Sequence, residues 1–130
     1  MRKILLCTHG EFASGIKSSL EVITGNSDNV HDICVLAEDT METVKSKIQD
    51  FVDRNKENDV VIMTDIVGGS PTQASFYIMS ENENVSLLTG LNLALLLEIV
   101  LSAEEDTKSV IKNAMESAKT SVQFLNGALK

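Results

Sequence analysis

Val60-Val61-Ile62-Met63-Thr64-Asp65-Ile66-Val67-Gly68-Gly69-Ser70-Pro71-Thr72-Gln73 is the stretch on which the fold turns. Val60 to Thr64 is β-prone and apolar without alternation, the pattern of a parallel strand covered on both faces. Gly68 and Gly69 then break the run. Ser70 suits a helix N-cap, Pro71 the first helical position and Gln73 the reciprocal capping position. A strand, a short glycine loop and a helix start form half of a βαβ unit.

The same alternation extends outward in both directions. Lys3 to Thr8, Asp32 to Leu36 and Val85 to Thr89 are further β-prone runs. Between them lie helical periods. Ile16, Leu20 and Ile23 fall at i, i+4, i+7 with Gly25 as a C-terminal stop. Met41, Val44, Ile48 and Phe51 make a second stripe, preceded by Asp39 with Glu42 three residues on, a capping-box pattern. A fourth helix is expected from about Asn92, and a fifth from about Asp106 through Ile111, Met115 and Ala118 to Val122. Ser121 to Leu129 reads either as a continuation of that helix or as an edge strand. The expectation is an α/β three-layer sandwich around a mostly parallel four-stranded sheet, in a single domain over 1–130.

Composition narrows the function. The 130 residues carry a formal charge of −8 with basic residues scattered, which argues against nucleic acid. No apolar run approaches the roughly 18 residues of a membrane span, and no signal peptide opens the chain, so a cytoplasmic protein is expected. Cys7 and Cys34 lie in strand-like runs without metal or redox spacing, and read as reduced packing residues. With two isolated histidines and dispersed carboxylates, no metal site and no cofactor are expected. The glycine loop is not a P-loop, because GxxxxGK[ST] is missing.

In parallel sheets, chemistry gathers at the carboxyl ends of the strands. Two segments fall there: Thr8-His9-Gly10 and Asp65 to Ser70. Imidazole as a group is nucleophilic and exchanges protons near neutral pH, which makes His9 a candidate to accept and release a phosphoryl group, although its position alone reads equally well as that of a structural histidine. Asp65 would leave the sheet at the same edge, where its carboxylate can fix the His9 tautomer; read locally, it is a turn residue. Gly68, Gly69 and Ser70 have the makings of an anion cradle at a helix N-terminus. Ser70 could equally spend its hydroxyl on capping. His31 reads as an ordinary strand-entry residue. A Ser70-His9-Asp65 hydrolase lacks the G-x-S-x-G elbow.

At these residues the chain resembles the IIA component of the mannose-type branch of the bacterial phosphoenolpyruvate:sugar phosphotransferase system (PTS). The likeness rests on Thr8-His9-Gly10 with Ala13, Gly15, Ser19-Leu20-Glu21 and Gly25, on Thr64 through Ser75, and on Thr89-Gly90-Leu91-Asn92-Leu93. It implies that His9 is phosphorylated, that Asp65 orients it, and that Ser70 with the Gly68-Gly69 backbone holds the phosphoryl group. The implied donor is phospho-HPr and the acceptor a separate IIB subunit, with membrane subunits IIC and IID engaged indirectly. The resemblance further implies a homodimer that exchanges a C-terminal antiparallel edge strand, and an apolar docking rim that by position includes Val22, Ile23 and Leu36. Val67, Gln73 and Ala94 depart from the family pattern. Rival readings are the subunit that feeds dihydroxyacetone kinase, a regulatory module using the same histidine, and a small-ligand-binding domain. The sugar is not legible.

Overall fold

The computed structural model describes residues 1–129, so Lys130, at the end of the expected domain, lies outside the described residues. Four strands, β1 (Arg2–His9), β2 (Val30–Val35), β3 (Asp59–Thr64) and β4 (Val85–Thr89), form one wholly parallel sheet in the order β2-β1-β3-β4. The helices are α1 (Phe12–Thr24), α2 (Met41–Arg54), α3 (Ser70–Glu81), α4 (Leu93–Leu101) and α5 (Thr107–Ala118).

Two compact units divide the chain, Met1 to Asn92 and Leu93 onward. In the first, strand periodicity sorts the side chains. Leu5, Cys7, Val60 and Ile62 pack with Val44, Ile48 and Val52 of α2 and with Ala74 and Ile78 of α3. Alternate residues such as Ile4 and Leu6 point to the other face, where α1 buries Ala13, Ile16 and Leu20. Each fully buried aliphatic side chain contributes roughly 1.5–3 kcal/mol. In the second unit, α4 and α5 pack together, and Ser117 donates to Glu98 at 2.9 Å.

The chain steps from β1 outward to β2, then back past β1 to β3. Right-handed crossovers therefore put α1 on one face and α2 with α3 on the other. The strand order reverses between β1 and β3, and there the loops leaving the sheet diverge and open a crevice.

Several local expectations are revised. Gly69, at φ +96°, is the N-cap of α3, so Ser70 and Pro71 take the first two helical positions and no side chain caps this helix. The box that starts α2 is built by Thr40 and Thr43, not by Asp39 and Glu42: each threonine hydroxyl accepts from the other residue's N–H, at 3.1 and 2.9 Å. Asp39 instead accepts from the N–H of Leu36 at 2.8 Å. α5 ends at Ala118 rather than reaching Val122. Residues 121–124 have no regular structure and Leu125–Leu129 form a 3-10 helix, so among the described residues the tail neither continues α5 nor forms a strand. Gly25 closes α1 as expected, in the left-handed conformation at φ +77°. No helix among the described residues is long and apolar enough to cross a membrane.

Candidate functional site

His9 is the last residue of β1 and Asp65 follows the last residue of β3. The two strands are neighbours, and the reversal of strand order falls between them, so the side chains meet at the crevice. Asp65 Oδ2 lies 3.0 Å from His9 Nδ1 and also accepts from the backbone N–H of His9 at 3.0 Å. Asp65 Oδ1 accepts from the N–H of Ile66 at 2.9 Å. The carboxylate is thus held at both oxygens. It is mostly covered, with 15% of its side chain exposed against 46% for His9. Burial raises the Asp65 pKa, but the bonds from the His9 backbone, the His9 ring and the Ile66 N–H outweigh it and hold the group below the ordinary carboxylate value. An ionised Asp65 at neutral pH accepts from Nδ1–H, which leaves the lone pair on Nε2.

Gly69 shapes the space around Nε2. A Cβ placed on it would lie 2.6 Å from His9 Nε2 and 2.7 Å from Cε1, closer than real carbons approach. Its positive φ disfavours a side chain independently. Gly68 has nothing within 4 Å of such a Cβ and needs no unusual conformation. The N–H groups of Gly68, Gly69 and Ser70 make no hydrogen bond among the described residues, and the N-terminal end of α3 begins there. These donors and the positive end of the helix dipole lie in the loop that passes Nε2, an arrangement suited to an anion. The Ser70 hydroxyl is half-buried and, since it caps nothing, is open to a ligand. His9, Asp65, Gly68, Gly69 and Ser70 are therefore all on one edge of the sheet.

Sequence reasoning missed the parts that fix these groups. The buried Thr8 hydroxyl accepts from Ala13 N–H at 2.8 Å and ties the start of α1 to the strand carrying His9. Gly10, at φ +57°, turns the chain out of β1, and its N–H donates to Val35 at 2.8 Å. Thr72 donates to the Ile66 carbonyl at 2.6 Å. Threonines before and after a glycine loop signal such ties only once the strand ends are known.

Around the crevice, Phe12, Leu36, Ile66 and Val67 are exposed apolar residues. Leu36 follows β2 and belongs to this edge. Val22 and Ile23, also exposed, lie near the end of α1, about 15 Å along its axis from its start beside His9. Of the three residues expected in the rim, Leu36 therefore lies at the crevice, while Val22 and Ile23 lie away from it. His31 lies in β2 with its ring 5.0 Å from that of Phe51, away from the crevice. Burial pushes the Cys7 thiol up to about 12, which makes it an inert packing group. Among the described residues, no three His, Cys, Asp or Glu side chains converge as around a metal ion.

A switch-point crevice holding a carboxylate-paired histidine beside a glycine-lined helix start defines a class by structure: a parallel α/β protein with one sheet edge suited to an anionic group. Comparison with known proteins narrows it. Residues 3–116 match the family model EIIA-man, described as the PTS system fructose IIA component. The fructose-specific EIIA component of Bacillus subtilis (strain 168) is 29% identical, over 100% of this chain and 90% of that protein. The sorbose-specific EIIA component of Lacticaseibacillus casei is 25% identical over 90% of this chain and 85% of that protein. The crystal structure of phosphotransferase system component EIIA from Streptococcus agalactiae superposes with a TM-score of 0.91 at 30% identity, covering 98% of this chain and 99% of that one. The chain belongs to the EIIA family of the mannose/fructose/sorbose branch of the PTS. The resemblance read from Thr8-His9-Gly10 and Thr64 to Ser75 is borne out.

Proposed function

We propose that the chain is a phosphoryl carrier in the cytoplasm, accepting the group from phospho-HPr on His9 Nε2 and passing it to a separate IIB subunit. One observation carries this reading. Asp65 engages Nδ1 at 3.0 Å, while Nε2 faces the place where Gly69 lacks a side chain. The Nε2 lone pair attacks phosphorus as the P–N bond to the donor breaks and its electron pair returns to the donor nitrogen. The proton on Nδ1 stays against Asp65, which offsets the positive charge that develops on the ring. Forwarding to IIB is the same step with the roles exchanged. Such transfers pass through loose transition states, so the protein's work is positioning and charge stabilisation. Here the free N–H groups at Gly68 to Ser70 supply the latter.

Phe12, Leu36, Ile66 and Val67 supply an apolar rim on which donor and acceptor dock in turn. The family model runs across the boundary between the two compact units, which supports one carrier domain. Val122 and Phe124, 90% and 82% exposed, suit a tail covered by a second copy, in keeping with a homodimer that exchanges its C-terminal segment. IIC and IID are served only through IIB.

Incubation with phospho-HPr tests the reading. The wild-type chain takes up an acid-labile label, and His9→Ala takes up none. A His9→Ala protein labelled on another residue would sink the assignment. A purified IIB subunit is expected to discharge the label.

A further inference from the structure

The loop from Asp65 to Gly69 touches both nitrogens of His9, the carboxylate at Nδ1 and Gly69 beside Nε2. Its middle has little to hold it: Val67 and Gly68 are exposed and carry no side-chain hydrogen bond. Gly69 O accepts from the N–H of Gln73 at 3.1 Å where α3 begins, and within the loop a side chain ties down one carbonyl, that of Ile66. Thr72 Oγ1 donates to Ile66 O at 2.6 Å, reaching back across the turn from the first turn of α3. Thr72 is itself seated on the sheet, with its Oγ1 2.7 Å from that of Thr64, which in turn is 2.9 Å from that of Thr89. Thr64 is fully buried at the end of β3, and Thr89 is its register partner at the end of β4. Three hydroxyls from three elements thus run from the sheet to the carbonyl of Ile66, the residue that follows Asp65. The buried Thr64 hydroxyl at its centre would be costly to leave unsatisfied, and here every member of the relay has a partner.

We infer that Thr72 is a positioning residue for the transfer: its hydroxyl, seated on Thr64 and Thr89, fixes the Ile66 carbonyl and with it the placement of Asp65 and Gly69 against His9. The inference rests on His9 as the phosphoryl acceptor. Thr72 touches neither the reacting nitrogen nor the phosphoryl group. It acts through Ile66, whose carbonyl Thr72 holds and whose N–H, in the preceding peptide, binds Asp65 Oδ1 at 2.9 Å. Small displacements of a reacting geometry cost large factors in rate, which makes one hydrogen bond at this place consequential.

Thr72→Val, which keeps the shape and removes the hydroxyl, tests it in the full chain beside Thr72→Ser, which keeps the hydroxyl. Single-turnover transfer from phospho-HPr is expected to slow about tenfold in Thr72→Val and to recover in Thr72→Ser. ¹⁵N spectra of the His9 ring supply a readout that mere stabilisation would not move: in Thr72→Val the proton shifts from Nδ1 towards Nε2, and in Thr72→Ser it returns. Wild-type rate together with wild-type ring shifts in Thr72→Val overturns the inference. If Thr72→Val does not fold, Thr72→Ala removes the hydroxyl without new bulk and carries the same expectations and the same overturning result. Should the wild-type chain take no label, the carrier reading fails, while the ring spectra still decide whether Thr72 sets Asp65.

Discussion

Asp39 and Asp65 both stand in loops that leave the carboxyl end of a parallel strand, and both bind backbone N–H groups, yet only one also holds a histidine from another strand. Asp39 bonds within its own turn, to Leu36 N–H at 2.8 Å, and pairs with Lys47 at 3.5 Å. Asp65 reaches 56 residues back to His9. The first loop is closed by neighbours in sequence and can be built anywhere. The second exists only where β1 and β3 lie side by side. What separates the two carboxylates is the sequence distance to the group each holds, not their residue type or their depressed pKa.

The sharpest way to break this contrast is at Gly69. Gly69→Ala is expected to reduce labelling by phospho-HPr more than about a hundredfold, because its Cβ would fall 2.6 Å from Nε2. Gly68→Ala, with open space, is expected to label normally; equal labelling of the two variants would remove Gly69 from the site. Next, Asp65→Asn is expected to slow transfer about ten- to a hundredfold, the usual penalty for losing a partner that orients a functional histidine. Asp39→Asn is expected to transfer at the wild-type rate, and a slow Asp39→Asn would erase the distinction drawn here.

Acid sharpens the comparison further. Asp39 is held below the ordinary carboxylate value, chiefly by the N–H of Leu36, and Asp65 is held below it despite its burial. Both carboxyls bind protons more weakly folded than unfolded, so both contribute stability above about pH 3.9 that is lost as pH falls through their folded values. Thermal melts below pH 4 are expected to show a shallower acid loss in either asparagine variant than in wild type, while transfer at pH 7 separates the two. The smallest effect is expected at the helix cap. Thr40→Ala removes half of the box that starts α2 and is expected to cost about 1 kcal/mol in a denaturant titration, without touching transfer.

Hydrophobic periodicity made the four strands and the helical stripes legible, because both periods are written in residues close in sequence. The meeting of His9 and Asp65 was legible by one further step, the rule that such sheets do chemistry at one edge. The errors arose where two local patterns overlapped. Asp39-x-x-Glu42 and Thr40-x-x-Thr43 both resemble capping boxes, and the Leu36 N–H, by claiming Asp39, decided between them. Ser70 resembled a cap, but the positive φ of Gly69 shifted the boundary by one residue. The Thr64-Thr72-Thr89 relay and the close approach of Gly69 to the imidazole have no sequence signal, since each depends on distances fixed by packing. The apolar stripe towards Val122 overran α5 because periodicity does not mark where packing partners end.

β1 is paired on both sides, yet its partner β3 is made much later. At a synthesis rate of about 5–20 residues per second, the 56 residues between His9 and Asp65 take roughly 3 to 11 s to emerge. Throughout that interval the first strand offers an apolar ribbon with at least one bare edge, so the nascent chain is exposed to aggregation before its sheet can close. A chain stalled short of residue 65 would carry the histidine without the carboxylate that orients it. On the proposed carrier role, charging with phosphate would then mark only molecules whose synthesis and folding had passed that point.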